Sequence, residues 1–270
     1  MPASRSTSRN TELKPRPRPR RRWPLVLIGL LVLLGAAVFV LPASMIARFL
    51  PPQVQAEDFS GSLIHGAAGK ISVNAHDAGA IEWRLHPLAL LRAELAVDIH
   101  WVKVSFVIDG TAELAGKGFA AHDIHGGGPL ENLRDIGLGA DWRGACTLSF
   151  AEIKSDFSKL QSAVGSLEVA NLASAAIAGG ADLGGYTVRL ATGAVSPDGS
   201  INASLNDTGG PVEVQAQIQF SPAARTGTLS GTLKARADAS PELRHQLDSL
   251  AQVRPRDAQG RFPVDLEFTL

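Results

Sequence analysis

The residues best suited to chemistry in this chain are its histidines, its single cysteine and its glycine-rich runs. His122, Asp123 and His125 form the run HDIH, a composition that suits metal binding. On a regular strand successive side chains alternate, so His122 and His125 are expected on opposite faces, and no third ligand is signalled. HGGGP (His125–Pro129) has the composition of an oxyanion loop, yet no Gly-x-Ser-x-Gly elbow accompanies it. AGGADLGG (Ala178–Gly185) lacks the strand, loop and helix order of a phosphate cradle. Both runs read as turns or bends in glycine-rich β structure. His65 and His86 flank expected turns and read as exposed. Cys146 alternates with Leu148 and Phe150, which marks it as a small buried core residue rather than an activated thiol. The acidic residues are scattered and single out no catalytic pair. The residues therefore nominate no catalytic, cofactor-binding or metal-ligating position, and no enzymatic activity or cofactor is expected.

The elements around these residues divide the chain in two. Eight of its 26 basic residues and only one of its 26 acidic residues precede Pro24. The remainder holds 18 basic and 25 acidic residues, a charge of about −7. An acidic body behind a basic arm argues against nucleic acid as a partner. Between Pro24 and Ala43 runs PLVLIGLLVLLGAAVFVLPA, without a charged side chain. At about 1.5 Å per residue a helix of this length covers roughly 30 Å, the hydrocarbon thickness of a bilayer. Trp23 stands where an interfacial aromatic anchor belongs. The rival reading is a cleavable signal peptide, for which LPASMIA would imitate the cleavage site. Its apolar region is typically about 7–15 residues, shorter than this run, and Ile46, Phe49 and Leu50 are expected to continue a helical face to Pro51. Arg20, Arg21 and Arg22 keep the arm on the cytoplasmic side, which sets the remainder across the membrane, in the periplasm of a bacterium. Inner-membrane lipids are expected partners of the arm and span. The expected organisation is a basic cytoplasmic arm (1–22), a transmembrane anchor (23–50) and a periplasmic β-rich domain (51–270).

Period two dominates that last part. In PVEVQAQIQF, Val212, Val214, Ala216, Ile218 and Phe220 take one face, while Glu213, Gln215, Gln217 and Gln219 take the other. Similar alternation marks Ile201–Leu205, Leu229–Ala235 and Phe262–Leu270, each bounded by turn residues. Further strands are expected at Lys70–Val73, Gly79–Leu85, Ala145–Ile153, Gly165–Asn171 and Tyr186–Thr192. Leu95, Val97, Ile99 and Trp101 alternate before the phase slips by one, which predicts a bulge or bend near His100–Val102. Helical spacing is confined to Pro129–Gly137 and to Ser240–Leu250, where Ser240 is the expected N-cap. The fold class is mainly β: one N-terminal transmembrane helix, then a largely antiparallel, curved sheet with one apolar face and one or two short helices plugging it. The last strand, Phe262–Leu270, is expected to grip the core through Val264, Leu266, Phe268 and Leu270.

The order of FSGSLIHGAAGKI, IEWRLHPLALL, SPELRHQLDSL and RDAQGRFPVDLEFTL behind a single span resembles the type II secretion system protein N family. The resemblance is strongest at Gly61, His65 and Gly66, at Trp83, Leu85, Pro87, Leu88 and Leu91, and at Gly260-Arg261. Gly110–Asn171 matches only in texture. It implies a non-enzymatic inner-membrane accessory component, a scaffold or adaptor for protein export across the outer membrane. Its implied partners are the inner-membrane platform proteins of that machine, with the outer-membrane secretin as a further candidate. The alternative is an AsmA-like periplasmic protein whose curved sheet handles lipid. In physical terms Gly61 and Gly66 bracket a hairpin, Trp83 and Leu85 share a face, and Pro87 ends a strand. Leu88, Leu90 and Leu91 are expected to form an apolar corner before the next strand.

Overall fold

Alternating apolar and polar residues, with a turn after each run, give a sheet in which every strand pairs with the next. The computed structural model describes residues 41–116, 118–136, 141–251 and 255–269. Its strands are β1 (Val54–Gly61), β2 (His65–Val73), β3 (His76–Leu85), β4 (Glu94–Lys103), β5 (Phe106–Ala115), β6 (Gly118–Pro129) and β7 (Trp142–Ser155). Then come β8 (Leu160–Ser174), β9 (Asp182–Leu190), β10 (Ile201–Gly209), β11 (Val212–Ser221), β12 (Thr226–Ala235) and β13 (Phe262–Thr269). They form one 13-stranded antiparallel sheet in sequence order, without a crossover. Among the described residues the sheet is open: β1 pairs only with β2, and β13 only with β12. The basic arm and the apolar run as far as residue 40 lie outside the described residues. Among the described residues no helix is long and apolar enough to cross a membrane.

Cross-strand pairs place the apolar residues on one face from end to end. Trp83 faces Ile99, Trp101 faces Ile108, Leu148 faces Leu167, Val188 faces Leu205, and Ile218 faces Leu229. Directly opposed side chains share a face, so one such chain of pairs makes a continuous apolar skin. Three short elements cover parts of it. The 3-10 helix Ala43–Phe49 sets Ala43 and Ile46 against Ala68 and Trp83. The 3-10 helix Leu130–Ile136 adds Leu130 and Leu133 beside Phe106 and Cys146. Helix α1 (Pro241–Ala251) buries Leu243 and Leu247 among Leu183, Val212 and Phe262. Ser240 caps α1 as expected, its hydroxyl accepting from the Leu243 N–H at 3.1 Å. Burying each of the two α1 leucines contributes about 1.5–3 kcal/mol.

Several local expectations are corrected. The phase slip after Trp101 is no bulge: β4 continues to Lys103, and Val104-Ser105 form a tight turn into β5, with Lys103 facing Phe106. Lys103 keeps the inward phase of β4, yet its amine donates to the Asp77 carbonyl at 2.6 Å, so the alternation hid a buried charge. HGGGP is not a turn but the end of β6, where Gly126 faces Ile108 and Gly128 faces Cys146. A Cβ on Gly126 would stand 2.1 Å from the Val107 carbonyl oxygen, so this crowded pairing requires glycine. AGGADLGG divides between a turn at Ala178–Gly180 and the start of β9. Ala43–Phe49, expected to continue the anchor's helical face, is a 3-10 helix packed on the sheet; its three-residue period aligns Ala43 with Ile46. Leu266 is 57% exposed, so β13 holds the core through Phe262, Val264 and Phe268 and not through Leu266, while Leu270 lies outside the described residues.

Candidate functional site: the two faces and free edges of the sheet

Trp83 organises the first part of the sheet. Its indole N–H donates to the Leu63 carbonyl at 3.0 Å, tying β3 to the β1–β2 turn. Gly66, opposite Trp83 in β2, leaves room for the ring: a Cβ there would stand 2.6 Å from indole Cζ2. Gly61, at φ +78°, closes the same hairpin by pairing with Gly66. His86 and Pro87 follow the last residue of β3, as the sequence implied.

The wet face carries a trough of about 300 Å³ lined by charged and polar side chains, among them His65, Glu82, Arg84, Asp98, His100 and Asp109. His100 Nδ1 lies 2.6 Å from Asp109 Oδ1, and His86 Nε2 lies 2.8 Å from Asp98 Oδ2. The Thr111 hydroxyl donates to Asp98 Oδ1 at 2.9 Å. Its proton is thus engaged by a carboxylate. A bulge changes the reading of HDIH. Asp123, at φ +51°, takes up one extra residue in β6, so His122 faces Thr111 while His125 faces Asp109. Thr111 and Asp109 share the wet face, and His122 and His125 therefore share it too, contrary to the strict alternation expected. The two do not converge on an ion: His122 Nε2 is 3.8 Å from Glu113 Oε2, and His125 Nδ1 is 2.8 Å from the Asp123 carbonyl. Among the described residues no group of three His, Cys, Asp or Glu could hold a metal. His65 and His86 are exposed beside their turns.

The apolar face has a groove of about 440 Å³ beside Leu130–Ile136, with Trp101, Phe106, Leu133, Leu148 and Leu167 in its wall. Cys146 lies in the same wall, 5% exposed, and burial pushes its thiol pKa up, which keeps it protonated and unreactive. Tyr186 donates to the Leu183 carbonyl at 2.7 Å. Burial, with Asp207 and Asp182 nearby, pushes its pKa up to about 12.

Sequence reasoning missed one polar clasp. Asp207, among the turn residues expected to bound the run Ile201–Leu205, lies in β10. It accepts from the Val214 N–H at 2.9 Å and from Arg236 Nη2 at 2.6 Å. Arg236 Nη1 also donates to the Gly210 carbonyl at 2.8 Å, so β10, β11 and the end of β12 are tied together. Burial works to raise the Asp207 pKa, but Arg236 and the Val214 N–H outweigh it and hold it below the usual carboxylate range. No sequence motif links residues 207 and 236; only strand pairing does.

The remaining surface with unspent bonding capacity is backbone. The outward side of β1 and that of β13 each lack a strand partner among the described residues. An unpaired strand edge accepts an extended segment from another chain by adding a strand.

A family model for type II secretion system protein N matches residues 52–265. Searches of curated proteins and of solved structures returned no match. The match takes in β1 to β12, two of the three short elements over the apolar face (Leu130–Ile136 and α1) and the start of β13. The chain thus belongs to the type II secretion system protein N family.

Proposed function

We propose that this type II secretion component is a non-enzymatic scaffold, anchored in the inner membrane by the apolar run that begins at Pro24. In this reading the sheet stands in the periplasm and docks other inner-membrane platform proteins of the machine. The observation that carries it is the open sheet, whose two end strands offer rows of unpaired N–H and C=O groups to a partner. Photo-crosslinkers at exposed Gln55 in β1 and Glu267 in β13, in native membranes, should capture secretion components. Recovery of none would sink the reading. A phosphatase fused after Leu270 should be active in the periplasm; an inactive fusion would reverse the orientation.

A second reading, lipid handling along the apolar face, is favoured by the groove of about 440 Å³ under Leu133. Mass spectrometry of the purified chain separates the two. Stoichiometric phospholipid that is lost on Leu148→Arg would favour this second reading.

A further inference from the structure

Large apolar side chains that face solvent are concentrated at one end of the sheet. In an antiparallel meander the turns β1–β2, β3–β4, β5–β6 and β7–β8 all fall at the same end. That end carries Leu88, Leu90 and Leu91, 77%, 53% and 84% exposed, on the 3-10 turn Ala89–Arg92 between β3 and β4. The apolar corner expected there is formed but turned outward. Four residues after Leu91, exposed Leu95 in β4 faces exposed Leu114 in β5, and Phe157 in the β7–β8 turn is 64% exposed. The core clusters under Leu130–Ile136 and α1 are built largely on strand segments at the opposite end. An exposed patch of this kind marks a contact surface.

The course of the chain indicates what covers it. Leu41 and Pro42 meet the β1–β2 turn at this same end: the Leu63 N–H donates to the Leu41 carbonyl at 3.0 Å, and Pro42 pairs with Ser62. The Leu85 N–H donates to the Ile64 carbonyl at 2.7 Å, so the segment leading to Leu88 leaves from beside that turn. Leu88 is three residues on, at most about 11 Å away along the chain. The last residues of the uncharged run, Leu41 and Pro42, are thus bonded to the β1–β2 turn, at the same end of the sheet as the patch. Arg92, exposed and next to Leu91, suits an anionic headgroup.

We propose that Leu88, Leu90 and Leu91, with Phe157 as a second contact, insert into the interfacial layer of the membrane that the chain itself is anchored in. The sheet then stands on the bilayer by its β3–β4 turn, and its α1 end points away. The proposal rests on reading the apolar run that begins at Pro24 as a span, and the two can fail separately. In the full chain carrying Cys146→Ala, a bimane probe is attached at Leu90→Cys or, at the opposite end, at Val104→Cys, which replaces another exposed residue. The protein is reconstituted into phosphatidylethanolamine–phosphatidylglycerol vesicles containing shallow doxyl lipid. The probe at 90 should be quenched several-fold more than the probe at 104. Leu88→Ser together with Leu91→Ser should abolish most of that difference, since with position 90 labelled no leucine of the turn is left to insert. Equal quenching at the two positions overturns the proposal. So does shielding of position 90 from aqueous iodide without doxyl quenching, which would mean that a second copy of the chain covers the leucines. Carbonate extraction of the same vesicles reads the span independently: a chain that is extracted yet quenched at 90 refutes the anchor and keeps the membrane-facing turn.

Discussion

Replacing Asp207 by Ala tests whether the far strands are held by one polar clasp as well as by their apolar face. The Asp207 side chain is only 11% exposed and accepts two hydrogen bonds, one from the Val214 N–H at 2.9 Å and one from Arg236 at 2.6 Å. Losing a charge-assisted bond costs about 1.5–3 kcal/mol, and leaving a half-buried N–H unpaired adds about 1 kcal/mol or more. Arg236 keeps its bond to the Gly210 carbonyl, which limits the total to about 3 kcal/mol. In a folded unit of this size 1 kcal/mol shifts Tm by about 2–4 °C, so the expected loss is about 6–12 °C. Circular dichroism of the full chain in detergent measures it. The pH dependence supplies a second check. The folded pKa of Asp207 lies below its unfolded value, so the stabilisation is present above about pH 4 and lost as pH falls through the folded pKa. The Tm gap between wild type and Asp207→Ala should therefore be full at pH 7 and shrink in acid. A gap under about 2 °C at pH 7, or one that widens in acid, would refute the reasoning.

Three further perturbations probe other parts of the sheet. Gly66→Ala puts a methyl group 2.6 Å from Trp83 Cζ2 and from the Ser62 carbonyl oxygen. It should cost about 1–3 kcal/mol and shift tryptophan emission as the indole leaves its bond to Leu63; unchanged emission would refute the contact. Leu243→Ala removes a side chain only 3% exposed under α1 and should cost about 2–5 kcal/mol, against about 1 kcal/mol for Ser240→Ala. Thermal melts that reverse this order would show that the cap outweighs the plug. Deleting Phe262–Leu270 removes Phe262 from the α1 cluster and Phe268 from its stack on Phe220, at 6.4 Å between ring centroids. The truncated chain should be degraded in cells; a protease-resistant product that has lost only its partners would make β13 a docking strand.

The sequence by itself determined the strand runs, the apolar and wet faces, the capped helix at Ser240 and the family. These are local signals: a period of two, a cap three residues from the N–H it binds, and short motifs at Gly61–Gly66 and Trp83–Leu91. Pairing between distant strands decided the rest. The extra residue at Asp123 is invisible in composition, yet it moves His122 and His125 onto one face because β5 fixes which residues they oppose. The turn at Val104-Ser105 mimicked a bulge because a two-residue hairpin and a phase slip leave the same trace in the alternation. Leu88, Leu90 and Leu91 read as a corner of the core; only the tertiary structure turns them to solvent, because burial depends on what packs above a side chain and not on its own hydrophobicity. The clasp between residues 207 and 236 likewise exists only once β10, β11 and β12 are in register, which brings together two charges 29 positions apart.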